Sequence, residues 1–383
     1  MDLDFTEFPV IDAHCHPFIP DRETESFEQY LTLSMIQIPK EDMRSTLLYK
    51  MVIAKLRSVL CMPTIYSDDE VIKCRTDLYK ANRALYIGRL LSAANIDTLL
   101  VDIGFPSDEV SGYEIDLDWF RTLLGGLKTR TIVRMEPIVF RLLGLSLTFN
   151  EVESTFRSDL ENDIKRHRAV AVKSSIAYET GLGVDLVTRE DANRAFARLQ
   201  SDSRNKRAEK MVRDYLFLIG LDVCIEHSLP VQLHTGIGDA PLLDLPLGNP
   251  LLLFPLLKHD RYGRATFVFV HAAYPFLAEA GFLANQYPGV WIDLSEMVPF
   301  VGSGVERSLR TLCEMCPLSK LVYGSDGYNI PELFWFSAVY FRECMSRVLR
   351  SLIEEGCIDA EFARQAGENI LAGNARRLYR LNN

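Results

Sequence analysis

The sequence has no apolar run long enough to span a membrane. The longest apolar patches, such as "LGNPLLLFPLLK" at 247–258, stop early and contain proline. The N-terminal residues "MDLDFTEFPV" also lack the basic segment and the apolar segment of a signal peptide. We therefore expect no membrane association.

Basic residues are also in short supply. Lys and Arg number 42 against 52 Asp and Glu, which gives a formal net charge of −10. The one short basic stretch, "RNKRAEK" at 204–210, is typical of a solvated helix face. An acidic chain without a basic patch is a poor ligand for nucleic acid or anionic lipid. The sequence therefore predicts a small-molecule substrate as partner and leaves a homo-oligomer open.

Cysteines occur without the pairing that a structural zinc site needs. The eight cysteines are scattered, and Cys313 and Cys316 form the single CxxC pair, with no second pair or histidine nearby. We interpret these two as space-filling residues of a helix. Free thiols without a secretory signal favour a reducing compartment, so a cytoplasmic location is expected.

The sequence does contain a regular alternation of short apolar strands and longer helical segments, which is typical of repeated βα units. Eight parallel strands of this kind close into a barrel. We predict an α/β fold, a (β/α)₈ TIM-type barrel, as a single domain over 1–383. The candidate strands cover 9–14, 97–104, 130–136, 169–175, 229–235, 265–272, 289–295 and 320–326.

Two regions are too long to be plain connections. Residues 17–96 contain amphipathic helical patterns, so we predict a helical insertion after strand 1 that covers the barrel mouth. Residues 181–211 form a second, more charged excursion.

Polar residues stand at the C-terminal ends of the predicted strands, where the active sites of such barrels lie. His14 and His16 are one residue apart and therefore share a face of strand 1. The others are Lys173 on strand 4, His234 on strand 5, His271 on strand 6 and Asp326 on strand 8. Singly, each has a structural explanation: a hydrogen-bonded histidine, a lysine reaching solvent or an aspartate starting a turn. Together on one rim, they predict a metal site.

Lys173 makes this site distinctive. An ammonium group repels cations, but burial beside metal ions depresses the pKa of a lysine, which can then add CO₂. The resulting carbamate has two oxygens that can bridge two cations. The sequence therefore favours two divalent ions and a carboxylated Lys173; zinc is the first choice, with manganese and iron left open.

These residues, in this order, resemble the amidohydrolase superfamily. The stretches "AVKSSIAYETGLG", "LHTGIGDAPLLDLPLGNP", "YGSDGY" and "ENILAGNARRLYRL" are similar to its amidohydrolase-related branch, which includes the amidohydrolase part of nodulin/glutamine-synthetase fusion proteins. The resemblance covers nearly the whole chain except 17–96. It implies that His14, His16 and Asp326 hold one metal, that His234 and His271 hold a second, and that Lys173 bridges them.

The predicted activity is hydrolysis of an amide, ester or related C–N bond by metal-activated water. Asp326 is the predicted catalytic base, and His271 is assigned to the catalytic centre. Glu179 departs from the basic residue usual in the branch, which implies a differently charged substrate. Two alternatives are a single-metal decarboxylase of an aromatic acid and a non-catalytic protein with a retained metal site. Residues in the loops after the strands are predicted to bind substrate: Tyr178, Glu179, Asp239, Tyr274, Glu296 and Tyr328.

Overall fold

The computed structural model describes residues 3–18, 26–105 and 116–381. Eight parallel strands form one sheet in the order of the chain, β1 to β8. Each predicted strand corresponds to an observed one. The strands are β1 (Val10–Cys15), β2 (Ile96–Asp102), β3 (Lys128–Arg134), β4 (Ala171–Ser174), β5 (Val231–His234), β6 (Phe267–Val270), β7 (Val290–Asp293) and β8 (Leu321–Val322).

Backbone hydrogen bonds close the sheet between its last and first strands. The amide of Ala13 donates to the carbonyl of Tyr323 at 2.9 Å, and the amide of Asp326 donates to the carbonyl of His14, also at 2.9 Å. The chain therefore forms the predicted TIM-type barrel. Closure also places Asp326 next to His14 of β1 and to His16, which directly follows β1.

Helices of very different length surround the barrel. Two of them begin with a capping box, in which a hydroxyl and a glutamate three residues later satisfy the first amides: Ser67 with Glu70 and Thr148 with Glu151. The helices are α1 (Lys40–Ser45), α2 (Leu47–Val59), α3 (Asp68–Ala81), α4 (Arg83–Ala93), α5 (Leu117–Leu123), α6 (Glu136–Leu143), α7 (Phe149–His167), α8 (Ile176–Glu179), α9 (Arg189–Ser201), α10 (Lys206–His227), α11 (Phe254–Leu257), α12 (Leu277–Gln286), α13 (Met297–Phe300), α14 (Val305–Met315), α15 (Pro331–Glu354), α16 (Ala360–Glu368) and α17 (Asn374–Leu378).

The segment between β1 and β2 contains the four helices α1 to α4, although residues 19–25 of the predicted insertion lie outside the described residues. A buried ion pair ties α3 to α15, because Arg75 Nε lies 2.5 Å from Glu332 Oε1. The hydroxyl of Tyr86 on α4 donates to the same carboxylate at 2.7 Å. Helices α3 and α4 therefore pack beside α15. Among the described residues of the segment, those that line the cavity at the barrel mouth lie between 26 and 43, a shorter stretch than the predicted cover 17–96.

The inside of the barrel is filled by small and branched side chains such as Ile11, Ile132 and Val268, and the C-terminal helix α17 closes this inner core with Ala375 and Leu378. The eight cysteines are free thiols, and Cys316 is buried while Cys313 is partly buried. None of the helices in the described ranges combines the length and the apolar composition that a bilayer crossing requires.

Candidate metal centre and substrate cavity

A cavity of about 1080 Å³ opens at the C-terminal ends of the strands. Every residue predicted as a metal ligand lines it: His14, His16, Lys173, His234, His271 and Asp326. The periodicity of the barrel produces this convergence, since the carboxyl ends of all eight parallel strands meet at one rim.

The backbone is strained at several residues of this rim. His271, Glu296 and Asp326 have positive φ angles of 68°, 56° and 55°. Residues other than glycine seldom adopt this conformation, and it persists where the surrounding structure enforces it. In each case the strained residue carries a polar side chain into the cavity. The strain therefore marks these positions as candidates for function.

His14, His16 and Asp326 form the first half of the site. The Nε2 atoms of His14 and His16 lie 3.2 Å and 3.3 Å from the same oxygen, Oδ1 of Asp326. Both rings are buried. Burial and the charge of Lys173 lower the pKa of His14 to about 4. A neutral imidazole is the form that binds a metal ion.

Gln232 determines which nitrogen of His14 faces the cavity. The amide nitrogen of Gln232 donates to the carbonyl of Ala13 at 2.8 Å and to the hydroxyl of Tyr379 at 2.7 Å. Its oxygen is therefore the acceptor, 2.7 Å from His14 Nδ1, and that nitrogen carries the proton. The lone pair on Nε2 of His14 is left facing the Asp326 oxygen. Two acceptors at this distance require a proton or a cation between them.

His234 and His271 form the second half. Nε2 of His271 lies 3.1 Å from Nδ1 of His234, while Nδ1 of His271 faces the Ser295 hydroxyl at 3.1 Å and Glu296 Oε2 at 3.3 Å. Burial lowers the pKa of both histidines well below the ordinary value, and it raises the pKa of Glu296 well above its own. A Cβ atom at position 238 would lie 2.6 Å from His234 Nε2, so Gly238 keeps the space beside that nitrogen open.

Lys173 is almost completely buried on the same rim, at 1% exposure. Burial, reinforced by the charge of Arg134, lowers its pKa to about 8. A share of this amine is therefore neutral near physiological pH. The neutral form is the one that can react with CO₂.

A buried ion pair beside the histidines was not predicted from the sequence. Arg134 at the end of β3 donates from Nε and Nη2 to Oδ2 of Asp102 at the end of β2, at 2.9 Å and 2.5 Å. Although burial opposes it, the guanidinium lowers the pKa of Asp102 to about 2. Asp102 also comes close enough to His14 and His16 to complete a third possible group of ligand atoms. Both residues end strands, so the sequence did contain a signal that could have indicated them.

Five of the six predicted substrate-binding residues line the cavity: Tyr178, Glu179, Asp239, Glu296 and Tyr328. The hydroxyl of Tyr178 accepts a hydrogen bond from the amide of Asp239 at 2.9 Å, and its ring lies 4.4 Å from that of His234. Tyr274 is not among the lining residues, because its ring packs against the hydrophobic core. Tyr274 therefore lies outside the set of residues that line the cavity, and its role in substrate binding stays a prediction.

The segment before α1 forms one wall of the cavity. The amide of Met35 donates to the carbonyl of Ala240, and the amide of Ala240 donates to Leu33, at 2.9 Å and 3.0 Å. This short bridge fastens the segment to the loop after β5, directly beside Asp239. Apolar residues of this segment and of α1, such as Ile38 and Met43, line the cavity.

The donor set fits one or more divalent cations. Two buried nitrogens, Nδ1 of His16 and Nε2 of His234, have no hydrogen-bond partner among the described residues. Such unmet groups are costly, and a cation would satisfy His234 Nε2 directly. Three groups of imidazole and carboxylate atoms lie within reach of a single ion, including His14 with His271 and Asp326 and His234 with His271 and Glu296. Imidazole and carboxylate are the usual ligands of zinc and its neighbours.

The fold and the rim together define a TIM-barrel protein of the metal-binding type. In the comparison with known proteins, the family model described as amidohydrolase matches residues 198–381. This match covers a little less than half of the chain and agrees with the resemblance of its sequence motifs to the amidohydrolase superfamily.

Individual relatives agree in fold along almost the whole chain. Protein fluG of Emericella nidulans is 28% identical over 407 residues, which span 98% of this chain and 46% of fluG, so the chain covers about half the length of this curated relative. A crystal structure from Lactobacillus casei, provisionally described as a metal-dependent hydrolase, has a TM-score of 0.84 and 26% identity, covering 99% of this chain and 97% of that one. A uronate isomerase from Thermotoga maritima shares the fold, with a TM-score of 0.67, 16% identity and coverage of 98% and 95%.

Proposed function

We propose that this protein is a divalent-metal-dependent hydrolase of an amide, ester or related C–N bond in a small molecule. The observation that carries the proposal is the pair of buried imidazoles, His14 and His16, whose Nε2 atoms converge on one oxygen of Asp326. The similarity to a protein provisionally described as a metal-dependent hydrolase adds support.

His14, His16 and Asp326 would hold one cation, and His234 and His271 would hold a second. A divalent cation bound there lowers the pKa of a water molecule and polarises a carbonyl. Asp326 accepts the proton released by the attacking water and passes it to the leaving group. Its carboxylate lies beside the histidines on the cavity wall, which gives it access to both positions.

Lys173 would be carboxylated and bridge the two cations. Its burial and its lowered pKa support this role, since the neutral amine adds CO₂ with loss of one proton and becomes an anionic carbamate. Zinc is the proposed metal, with manganese and iron as alternatives. A single-metal decarboxylase would need no bridge and would leave Lys173 unmodified.

Metal analysis and a hydrolysis screen test the proposal together. The protein is loaded with Zn²⁺, Mn²⁺ or Fe²⁺ and assayed on N-acyl amino acids, γ-glutamyl amides and small esters. We expect bound metal and turnover in the wild type, and loss of both in His14→Ala, with His227→Ala, an exposed histidine outside the cavity, as the matched control.

Each remaining outcome points elsewhere. Full metal content and turnover in His14→Ala would refute the ligand assignment. One ion per chain with release of CO₂ from an aromatic acid would favour the decarboxylase. Bound metal without any turnover would favour a binding protein.

A further inference from the structure

The cavity extends beyond the candidate metal centre to an acidic pocket at the ends of β3 and β4. Glu136, Phe140, Ser175 and Glu179 line the cavity there. Strands β4 and β1 are separated by three positions in the closed order of the sheet. The acidic pocket therefore lies across the barrel rim from His14 and His16. A substrate held at the metal centre would reach this pocket with its other end.

Glu136 is a buried carboxylate with one oxygen that lacks a partner among the described residues. It is 6% exposed, and its Oε1 accepts a hydrogen bond from the Ser174 hydroxyl at 2.6 Å. Its Oε2 is buried and has no hydrogen-bond partner among the described residues. A carboxylate oxygen in this situation pays the cost of lost hydration without compensation.

The nearby cations do not balance this charge. Arg213 is shared between Glu179, 3.5 Å from its Nη2, and Glu209, 3.1 Å from its Nε. Lys206 adds an exposed ammonium 3.0 Å from Glu209. Three carboxylates therefore face two cations, and the Arg134 guanidinium is already bonded to Asp102.

A water molecule cannot supply the missing charge. A separate void of about 20 Å³ touches Glu136, Glu179 and Arg213. This volume suits one water molecule. Water could donate to Glu136 Oε2, but it would leave the surplus negative charge in place. Phe140, whose ring lies 4.7 Å below the Arg213 guanidinium, provides an aromatic wall of the kind that attracts cations.

We propose that Glu136 and Glu179 form a specificity subsite that binds a cationic group of the substrate, such as a primary ammonium. The inference rests on the proposed function and names its substrate class: a hydrolysable small molecule with a positively charged end. Burial, the first cause of the raised pKa of Glu179, is also what would strengthen its attraction for such a group.

A set of ligands that differ only in the charge of one end tests this. Hydroxamates chelate divalent metal ions and anchor each ligand at the metal centre. Linear hydroxamates of three to six methylenes are prepared with an amino, a methyl or a carboxylate terminus, and their dissociation constants for the zinc-loaded protein are measured by calorimetry. At the best length we expect the amino terminus to bind about tenfold more tightly than the methyl terminus, and the carboxylate terminus to bind least.

Isosteric variants locate the effect. Glu136→Gln keeps the oxygen that accepts from Ser174, and Glu179→Gln keeps the size of its side chain. We expect each to reduce the preference for the amino terminus, and the double variant to reduce it to within about twofold. Glu314→Gln, at an exposed position of α14, is the control and should retain the wild-type preference. Methyl-terminated ligand should bind all variants equally, which shows that they are folded.

The outcomes separate this inference from the proposed function. If no hydroxamate binds the zinc-loaded protein, the metal centre itself is refuted. If all three termini bind alike in the wild type, or if the double variant keeps the preference, the acidic subsite is refuted and the metal centre stands.

Discussion

His14 owes its orientation to a residue that never touches the cavity. Gln232 accepts from His14 Nδ1 and is itself fixed by Ala13 and by Tyr379 from the C-terminal end of the chain. Partners of this kind fix the tautomer and the ring angle of a metal-binding histidine. Tyr379, directly after the C-terminal helix α17, thereby supports the end of β1, while α17 itself packs against the inner core.

We predict that Gln232→Met lowers the affinity for zinc by about 10- to 100-fold, because His14 loses the acceptor that fixes its tautomer. Zinc affinity is measured by competition with a chromophoric chelator. Gln365→Met, at an exposed position of α16, should leave the affinity unchanged. An unaltered affinity in a folded Gln232→Met protein would show that the tautomer of His14 does not matter.

Asp326→Asn tests the proposed base. Asparagine tolerates the positive φ of 55° at this position, so the substitution removes the charge while keeping the backbone and the shape. We predict a loss of turnover by a factor of about 100 or more. The pH–rate profile should also lose its acidic limb. Near-normal turnover would assign the base to another residue.

The residues predicted from the sequence are those that follow apolar strands. His14, His16, Lys173, His234, His271 and Asp326 each interrupt a Val, Ile, Leu or Phe pattern, so their common rim could be foreseen. The roles of Gln232 and Glu136 could not be foreseen from the sequence. Gln232 lies within a strand, and Glu136 is the first residue of a helix. Their importance depends on partners 218 and 38 residues away in the chain.

At the level of elements, the strands were predictable and the packing of α1 to α4 was not. Strands β1 to β8 are apolar and are separated by polar turns, which leaves a strong local signal. The amphipathic faces of α2, α3 and α4 show that these helices pack against something. The amphipathic pattern does not identify the element that these helices pack against. In the structure, α3 and α4 contact α15 rather than the cavity mouth.

This packing yields a prediction about Glu332. Glu332→Ala leaves Arg75 as a buried and unpaired charge, so we expect α3 and α4 to detach and the free energy of unfolding to fall by about 3 kcal/mol or more. Hydrogen exchange of these two helices and denaturant unfolding measure both effects. Asp77→Ala breaks the exposed Lys73–Asp77 pair of the same helix, and should cost less than about 0.5 kcal/mol. Equal losses in the two variants would contradict the anchoring role of Glu332.

At the scale of the whole molecule, the barrel places several acidic side chains around one cavity. Lys173 faces a cavity lined by Asp239, Glu296 and Asp326. Burial raises the pKa of Asp239 to about 6, and it is also the first cause of the raised pKa of Glu296. Divalent cations would offset this concentration of acidic groups. They would at the same time repel an ammonium at Lys173, by several kcal/mol at contact distance and an effective dielectric constant of about 20.

We expect the state of Lys173 to decide how many cations the barrel can hold. Carboxylation would replace the repelling ammonium by an anionic group able to bind cations, and we predict two zinc ions per wild-type chain and one per Lys173→Ala chain, measured by elemental analysis. Isotope-labelled bicarbonate should introduce a carbamate signal in the carbon NMR spectrum of the wild type alone. Short carboxylic acids should partly restore the second ion and the activity of Lys173→Ala by replacing the bridge. Lys320→Ala, at a partly buried lysine outside the cavity, controls for loss of a lysine. One zinc ion per chain in the wild type, with no carbamate signal, would remove the bridge and favour the single-metal decarboxylase.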